Sequence, residues 1–249
     1  MSGHSKWSQI KRKKGKADQE RGKLFSKLIR EITVAARSGG PPEGNPRLRS
    51  AILTAKAANM PADNIERAVK KGTGELPGVV YEEVTYEGYG PGGVAILVHC
   101  LTDNRNRTTN DVRHVFTKHG GNLGGAGSVA WKFETRGVIT VERRAVDEDA
   151  LLTVVLDAGA LDVDTGNSEA YEVLAAPGSL EAVRQALTQH QIPVAASEVT
   201  KIPQNTMTID PGEAVKVVRL MEVLEELDDV QRVWSDVELS DEVMAKLGG

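Results

Sequence analysis

Two aspartates two positions apart, Asp162 and Asp164, come nearest in this 249-residue chain to a catalytic pair, since neighbouring carboxylates can share a divalent cation and activate a water. The residues around them do not complete a site. A calcium loop needs an acidic or amide side chain followed by glycine and a glutamate at its twelfth position, whereas here Gly166 precedes Asn167 and that glutamate is missing. Asp164-Thr165-Gly166-Asn167 has the composition of a turn between two strands. His114 and His119 stand five apart on one expected helix and so do not share a face as a metal pair would. Cys100 is the sole cysteine, which excludes an intramolecular disulfide and a zinc site built on paired thiolates; at the end of an apolar run it reads as a small buried hydrophobe. Gly88 to Gly93 satisfies G-x-G-x-x-G, but Pro91 and the run Val94 to Val98 announce a strand, not the helix whose N-terminus would meet a pyrophosphate. The glycines of Gly120 to Gly127 lack the Lys-Ser/Thr ending of a phosphate-binding loop. No enzyme, no metal and no cofactor are expected. A metal-dependent, structure-selective nuclease using Asp162 and Asp164 is the distant alternative.

The chemistry that does stand out is charge. Formal net charge is -4, yet residues 1–71 carry 17 Lys+Arg against 6 Asp+Glu, a surplus of 11, and residues 137–249 carry 8 against 22, a deficit of 14. Six cations, Lys6, Lys11, Arg12, Lys13, Lys14 and Lys16, fall within eleven positions around Trp7. Like charges so close repel unless a polyanion lies against them. A nucleic acid is therefore the expected partner, approached with the N-terminal end first. Lys23, Lys27 and Arg30 extend the basic series, and Arg105 and Arg107 sit where a strand hands over to a helix whose N-terminus could join in holding phosphate; Asp103 or Asn104 could equally cap that helix and leave the arginines solvated. Trp7 could stack on a base or anchor the tail through its ring. No apolar leader and no run of about eighteen apolar residues is present, so a cytoplasmic protein with no membrane partner is expected.

Positioning these residues requires several units. Apolar residues at Leu24, Leu28, Ile32 and Ala35 or Ala36 predict a helix from Ala17 to Ser38; Asn45 and Pro46 open a second with Leu48, Ile52 and Ala55 inward; a third runs from Pro61 to Gly72. Three short amphipathic helices must pack together to bury their stripes. Beyond a linker near residues 72–78 come a strand over Val79 to Glu87, a turn, a buried strand Val94 to Val98, a helix Arg105 to His119 and a strand Ser128 to Phe133. Residues 137–200 alternate as βαββαβ, the ferredoxin-like order. A strand Thr206 to Ile209, a helix Pro211 to Leu227 and a last strand Val230 to Val237 would complete the earlier sheet. The expected organisation is α+β multidomain: a basic tail (1–16), a three-helix bundle (17–75), a discontinuous α+β domain (76–135 plus 204–249) and a ferredoxin-like insertion (136–203).

Met1-Ser2-Gly3-His4-Ser5-Lys6-Trp7-Ser8-Gln9-Ile10-Lys11-Arg12-Lys13-Lys14, Lys23 to Ile32, Ala57 to Ala68 and Tyr86 to Gly93 together resemble the YebC family. The resemblance implies the same three domains. It also implies a regulator of gene expression: bacterial members are described as cytoplasmic DNA-binding transcriptional regulators, mitochondrial ones as translational activators for a cytochrome oxidase subunit, and some bacterial members are linked to ribosomes stalled at proline runs. It supplies no catalytic residue. The expectation is a DNA-binding transcriptional regulator, with a ribosome- or ribosomal-RNA-associated translation factor as the alternative; oligomeric state stays open.

Overall fold

The structure, a computed structural model, describes residues 19–39, 41–167 and 169–248. Three helices open it, α1 (Gln19–Arg37), α2 (Pro46–Ala57) and α3 (Ala62–Thr73). Asn45 caps α2, its Oδ1 accepting from the Leu48 amide at 3.0 Å, and Pro46 takes the first helical position, where no amide hydrogen is needed. The Asn45 amide nitrogen also donates to the Ala35 carbonyl at 2.8 Å, which ties the start of α2 to the end of α1. Leu28, Ile32, Ala35, Leu48, Ala55, Ile65 and Ala68 form the bundle core. Small residues let α1 and α3 approach closely: a Cβ on Gly72 would lie 2.4 Å from the Thr33 carbonyl oxygen and 2.6 Å from Ala36 Cβ. The sequence reading ends α3 at Gly72, but the helix continues to Thr73 and the left-handed cap is Gly74, φ 84°. Gly72 serves close contact, not termination.

Next come β1 (Glu82–Tyr89), β2 (Ala95–Thr102), α4 (Arg105–Lys118) and β3 (Asn122–Leu123). A second series follows: β4 (Phe133–Glu142), α5 (Glu148–Asp157), β5 (Ala160–Asp164), β6 (Ala170–Ala175), α6 (Leu180–Gln189) and β7 (Ala196–Pro203). The chain then returns through α7 (Pro211–Glu226), β8 (Val230–Ser235) and α8 (Asp241–Gly248). The first sheet has the order β3-β1-β2-β8 with antiparallel pairs. α4 and α7 cover one of its faces, where Ile96, Val98, Cys100, Phe116, Val217 and Leu220 share a core. The alternate residues Ala95 and Leu97 pack with Val129 and Phe133 on the other face. Burial on both faces explains why β2 reads as an unbroken apolar run. Gly88 permits this packing, because a Cβ there would meet Phe116 Cε1 at 2.6 Å.

The second sheet, β5-β6-β4-β7, is antiparallel throughout, and α5 and α6 pack against one face of it. With its βαββαβ connection this is the ferredoxin-like arrangement, and the whole is a mixed α+β protein of two antiparallel sheets and a helical bundle. The Gly88 to Gly93 segment joins two antiparallel strands, as its proline and glycines suggest. Several details differ from the sequence reading. Val79 and Val80 lie exposed ahead of β1. Residues 130–132 form a 3-10 turn, and Phe133 starts β4 of the second sheet; the polar Glu134 and Arg136 masked one long strand. The last strand of the second sheet starts at Ala196 rather than 193, and only a bridge between Met207 and Val237 stands where Thr206 to Ile209 reads as a strand. α8, with Val243 in the main core, escaped the sequence reading.

Candidate nucleic-acid interface

Of the residues the sequence nominates for phosphate contact, Lys6, Trp7, Lys11, Arg12, Lys13, Lys14 and Lys16 lie outside the described residues. Lys23, Lys27 and Arg30 share one face of α1, as helical spacing requires. That face rests on the C-terminal end of α7. Lys27 Nζ donates to the Glu225 carbonyl at 2.6 Å and Lys23 Nζ to the Glu226 carbonyl at 3.2 Å. Arg30 Nη1 donates to the Asp228 carbonyl and, at 2.7 Å, to Asp229 Oδ1. The last carbonyls of a helix have no partner within it and carry the negative end of its dipole, so cations are suited to this place.

Asp229 gathers the second pair of nominated residues. Its side chain is 8% exposed, and Oδ2 accepts from Arg107 Nη2 at 2.8 Å and Thr108 Oγ1 at 2.6 Å. Burial pushes its carboxyl up, but the hydrogen bonds of Arg107 and Thr108 and the charges of Arg30 and Arg107 outweigh that and hold it below the ordinary carboxylate value. Arg107 also pairs with Asp103 at 2.7 Å, while the Asn104 side chain caps α4 by accepting from the Arg107 amide at 3.1 Å. Arg105 is exposed, and its side chain has no polar partner among the described residues. Of the five described nominees, then, four hold the body of the protein and Arg105 faces solvent.

A second polar line crosses the bundle and both sheets. Arg47 donates to Glu31 at 2.7 Å and to Glu83 at 3.0 Å, joining α1, α2 and β1. His99 Nε2 lies 3.5 Å from Glu83 Oε1. Burial drives the His99 imidazole below its usual pKa and overrides the raising influence of Glu83 and Glu31, so at neutral pH the contact is not an ion pair. Arg232 pairs with Glu198, and Trp234 Nε1 donates to Thr200 Oγ1 at 2.9 Å, which carries the line onto β7. Cys100, buried beside them, has its thiol pushed up to about 12 by desolvation and is unreactive.

Sequence reasoning missed one exposed feature. Trp131 is 66% exposed, with its indole nitrogen donating to the Ser128 carbonyl at 3.2 Å. The loop before it is fixed by Glu87, whose carboxylate, in a residue only 7% exposed, accepts from the amides of Gly127, Val129 and Ala130 at 2.7 Å each. The sequence marks it only by Glu87, which shares its strand-like run with Glu82 and Glu83 and so does not stand out. Lys56, Arg67 and Lys71 are exposed on the bundle, without polar side-chain partners among the described residues.

A basic bundle docked by its cations onto an α+β body that carries a ferredoxin-like insertion defines a three-unit class of protein, and the comparisons place it. The model of the TACO1/YebC protein N-terminal domain matches residues 5–75, and that of the TACO1/YebC second and third domain matches residues 81–237. A probable transcriptional regulatory protein of Persephonella marina is 55% identical over 249 residues, covering 99% of this chain and 100% of that one. One of Moorella thermoacetica is 54% identical over 250 residues, covering 99% of each. The crystal structure of a conserved hypothetical protein from Aquifex aeolicus superposes with a TM-score of 0.78 at 54% identity, covering 89% of this chain and 91% of that one. The chain belongs to the TACO1/YebC family.

Proposed function

We propose that this protein is a non-enzymatic regulator of gene expression that binds nucleic acid through its N-terminal segment and bundle, with double-stranded DNA as the first candidate target. The observation that carries this reading is the charge surplus of residues 1–71, 17 Lys+Arg against 6 Asp+Glu. It agrees with the names of the relatives, which are probable transcriptional regulatory proteins. Lys6, Lys11, Arg12, Lys13, Lys14 and Lys16 supply phosphate contacts, Trp7 stands among them, and Arg105 with the exposed Lys56, Arg67 and Lys71 extends the cationic surface. Contacts of this kind position a duplex without reading its bases. The division into a tail (1–16), a bundle (17–75), an α+β body (76–135 with 204–249) and an insertion (136–203), and action in the cytoplasm, belong to the same proposal.

About six neutralised phosphates give log affinity a slope of roughly -5 against log salt. Deleting residues 1–16 should flatten it; an unchanged slope removes the tail from the interface. Crosslinking the protein to nucleic acid in cells and sequencing the product identifies the target. Promoter DNA supports the transcriptional reading, and ribosomal RNA replaces it with a role in translation, which the acidic surplus of residues 137–249, 22 Asp+Glu against 8 Lys+Arg, favours by keeping the body away from phosphate.

A further inference from the structure

The hydrogen bonds and ion pairs that join the bundle to the body share a pattern. Lys23, Lys27, Arg30, Arg37 and Arg47, all of the bundle, donate to acceptors of the body: the Glu225, Glu226 and Asp228 carbonyls, Asp229, the Tyr81 carbonyl at 2.7 Å and Glu83 at 3.0 Å. The apolar clusters of the bundle and the body share no residue. Among the described residues the joint is therefore made chiefly by cations of the bundle, and three of its five donors are the Lys23, Lys27 and Arg30 stripe laid on the C-terminal end of α7.

Phosphate oxygens ask for the same donors. A phosphodiester backbone presents strong acceptors to Lys and Arg in a regular row, while the α7 carbonyls hold these three side chains down against the body. From this we infer that a nucleic-acid backbone and the C-terminal turn of α7 are mutually exclusive occupants of the Lys23/Lys27/Arg30 stripe, so that the docked arrangement is a closed state and binding releases the bundle from the body. This rests on the reading that the N-terminal part binds nucleic acid, and deepens it: the body competes for its own binding surface. Apparent affinity then scales with the fraction of molecules whose stripe is free.

The test uses the full chain with a donor and acceptor dye on Leu53→Cys in α2 and Leu161→Cys in β5, sites that are 60% and 54% exposed. Cys100, buried and with its thiol raised, stays unlabelled. Titration with a 20-base-pair duplex, and separately with a single-stranded RNA of equal length, should change energy transfer with the same midpoint as binding measured by anisotropy. Glu83→Gln, at a half-exposed site off the stripe, loosens the joint without touching a proposed phosphate contact; it should tighten binding by up to about fivefold, the upper end of what an exposed ion pair provides. Asp229→Asn should act the same way, and Glu83→Gln decides the matter if that variant does not fold. Binding with constant energy transfer, or affinity unchanged in Glu83→Gln, overturns the inference and leaves the proposed function intact. No binding of either nucleic acid overturns both.

Discussion

Replacing Glu87 by glutamine tests the physical account of the loop that presents Trp131. The carboxylate accepts three backbone amides, Gly127 through Oε1 and Val129 and Ala130 through Oε2, at 2.7 Å each. A glutamine must turn an NH2 group toward one side. Its better orientation orphans only Gly127, because the other loses two bonds. Gly127 is exposed, so its amide can turn to water and the loss there is the net worth of one charge-assisted bond, about 1.5 kcal/mol, while the two bonds that become neutral lose about 1 kcal/mol each. Against this, the neutral side chain escapes part of the carboxylate's desolvation, so the expected net loss is about 2–3 kcal/mol. The assay is equilibrium urea unfolding at pH 7, taking the transition reported by the first sheet, since three cores need not unfold together. Burial raises the Glu87 pKa, but the three amides outweigh it and hold the carboxyl below its ordinary value. Its stabilisation is therefore complete above the unfolded value of about 4.3 and fades as pH falls through the folded one. The gap between wild type and variant should narrow in acid. A gap below about 0.5 kcal/mol at pH 7, or one that stays constant down to pH 3, refutes the reasoning.

Gly72→Ala gains about 1 kcal/mol of helix propensity but forces a methyl to 2.4 Å from the Thr33 carbonyl, at a cost of about 1–3 kcal/mol; a lower Tm for the bundle is expected, and an equal or higher one means α1 and α3 are not in close contact. Asn45→Ala removes the α2 cap and the bond to Ala35, about 2 kcal/mol together, measurable as a shift of the urea midpoint. His99, facing Glu83, Glu31, Arg47 and Arg232, has a lowered folded pKa, so the unfolded chain binds its proton more readily and wild type loses stability as pH falls below about 6.5. His99→Gln should flatten the profile between pH 7 and 5; the same slope in both proteins assigns it to another group.

The order of elements was legible because local signals agree with the fold. The Asn45 cap, the 3.6-residue stripes of α1 and α3, and the βαββαβ alternation each follow from spacing and turn chemistry alone. Boundaries failed where one residue type serves two purposes. Gly72 looks like a helix stop but is a contact glycine, and Val79 and Val80 look like strand residues but lie exposed. At the candidate interface the limit is of another kind. Helical spacing puts Lys23, Lys27 and Arg30 on one face of α1, yet nothing local says that the face meets α7, about two hundred positions further along the chain. Arg107 likewise reads as a phosphate ligand beside a helix N-terminus, and only the tertiary structure supplies Asp229 as its partner.

An ionic joint differs from an apolar one in what can undo it. Leucines between the bundle and the body would hold at any ionic strength, because burial of apolar area responds little to moderate salt. The cations that occupy this joint are screened over about 8 Å at physiological ionic strength and can be taken by another anion. The interior of each unit is apolar while the contact between bundle and body is not, so stability of the parts and attachment between them respond to different conditions. Raising salt should therefore loosen the attachment of the bundle well before it unfolds any core. Small-angle scattering set beside circular dichroism separates the two: expansion at 1 M NaCl with unchanged ellipticity is the expected result, and constant dimensions would show that the joint is held by something other than charge.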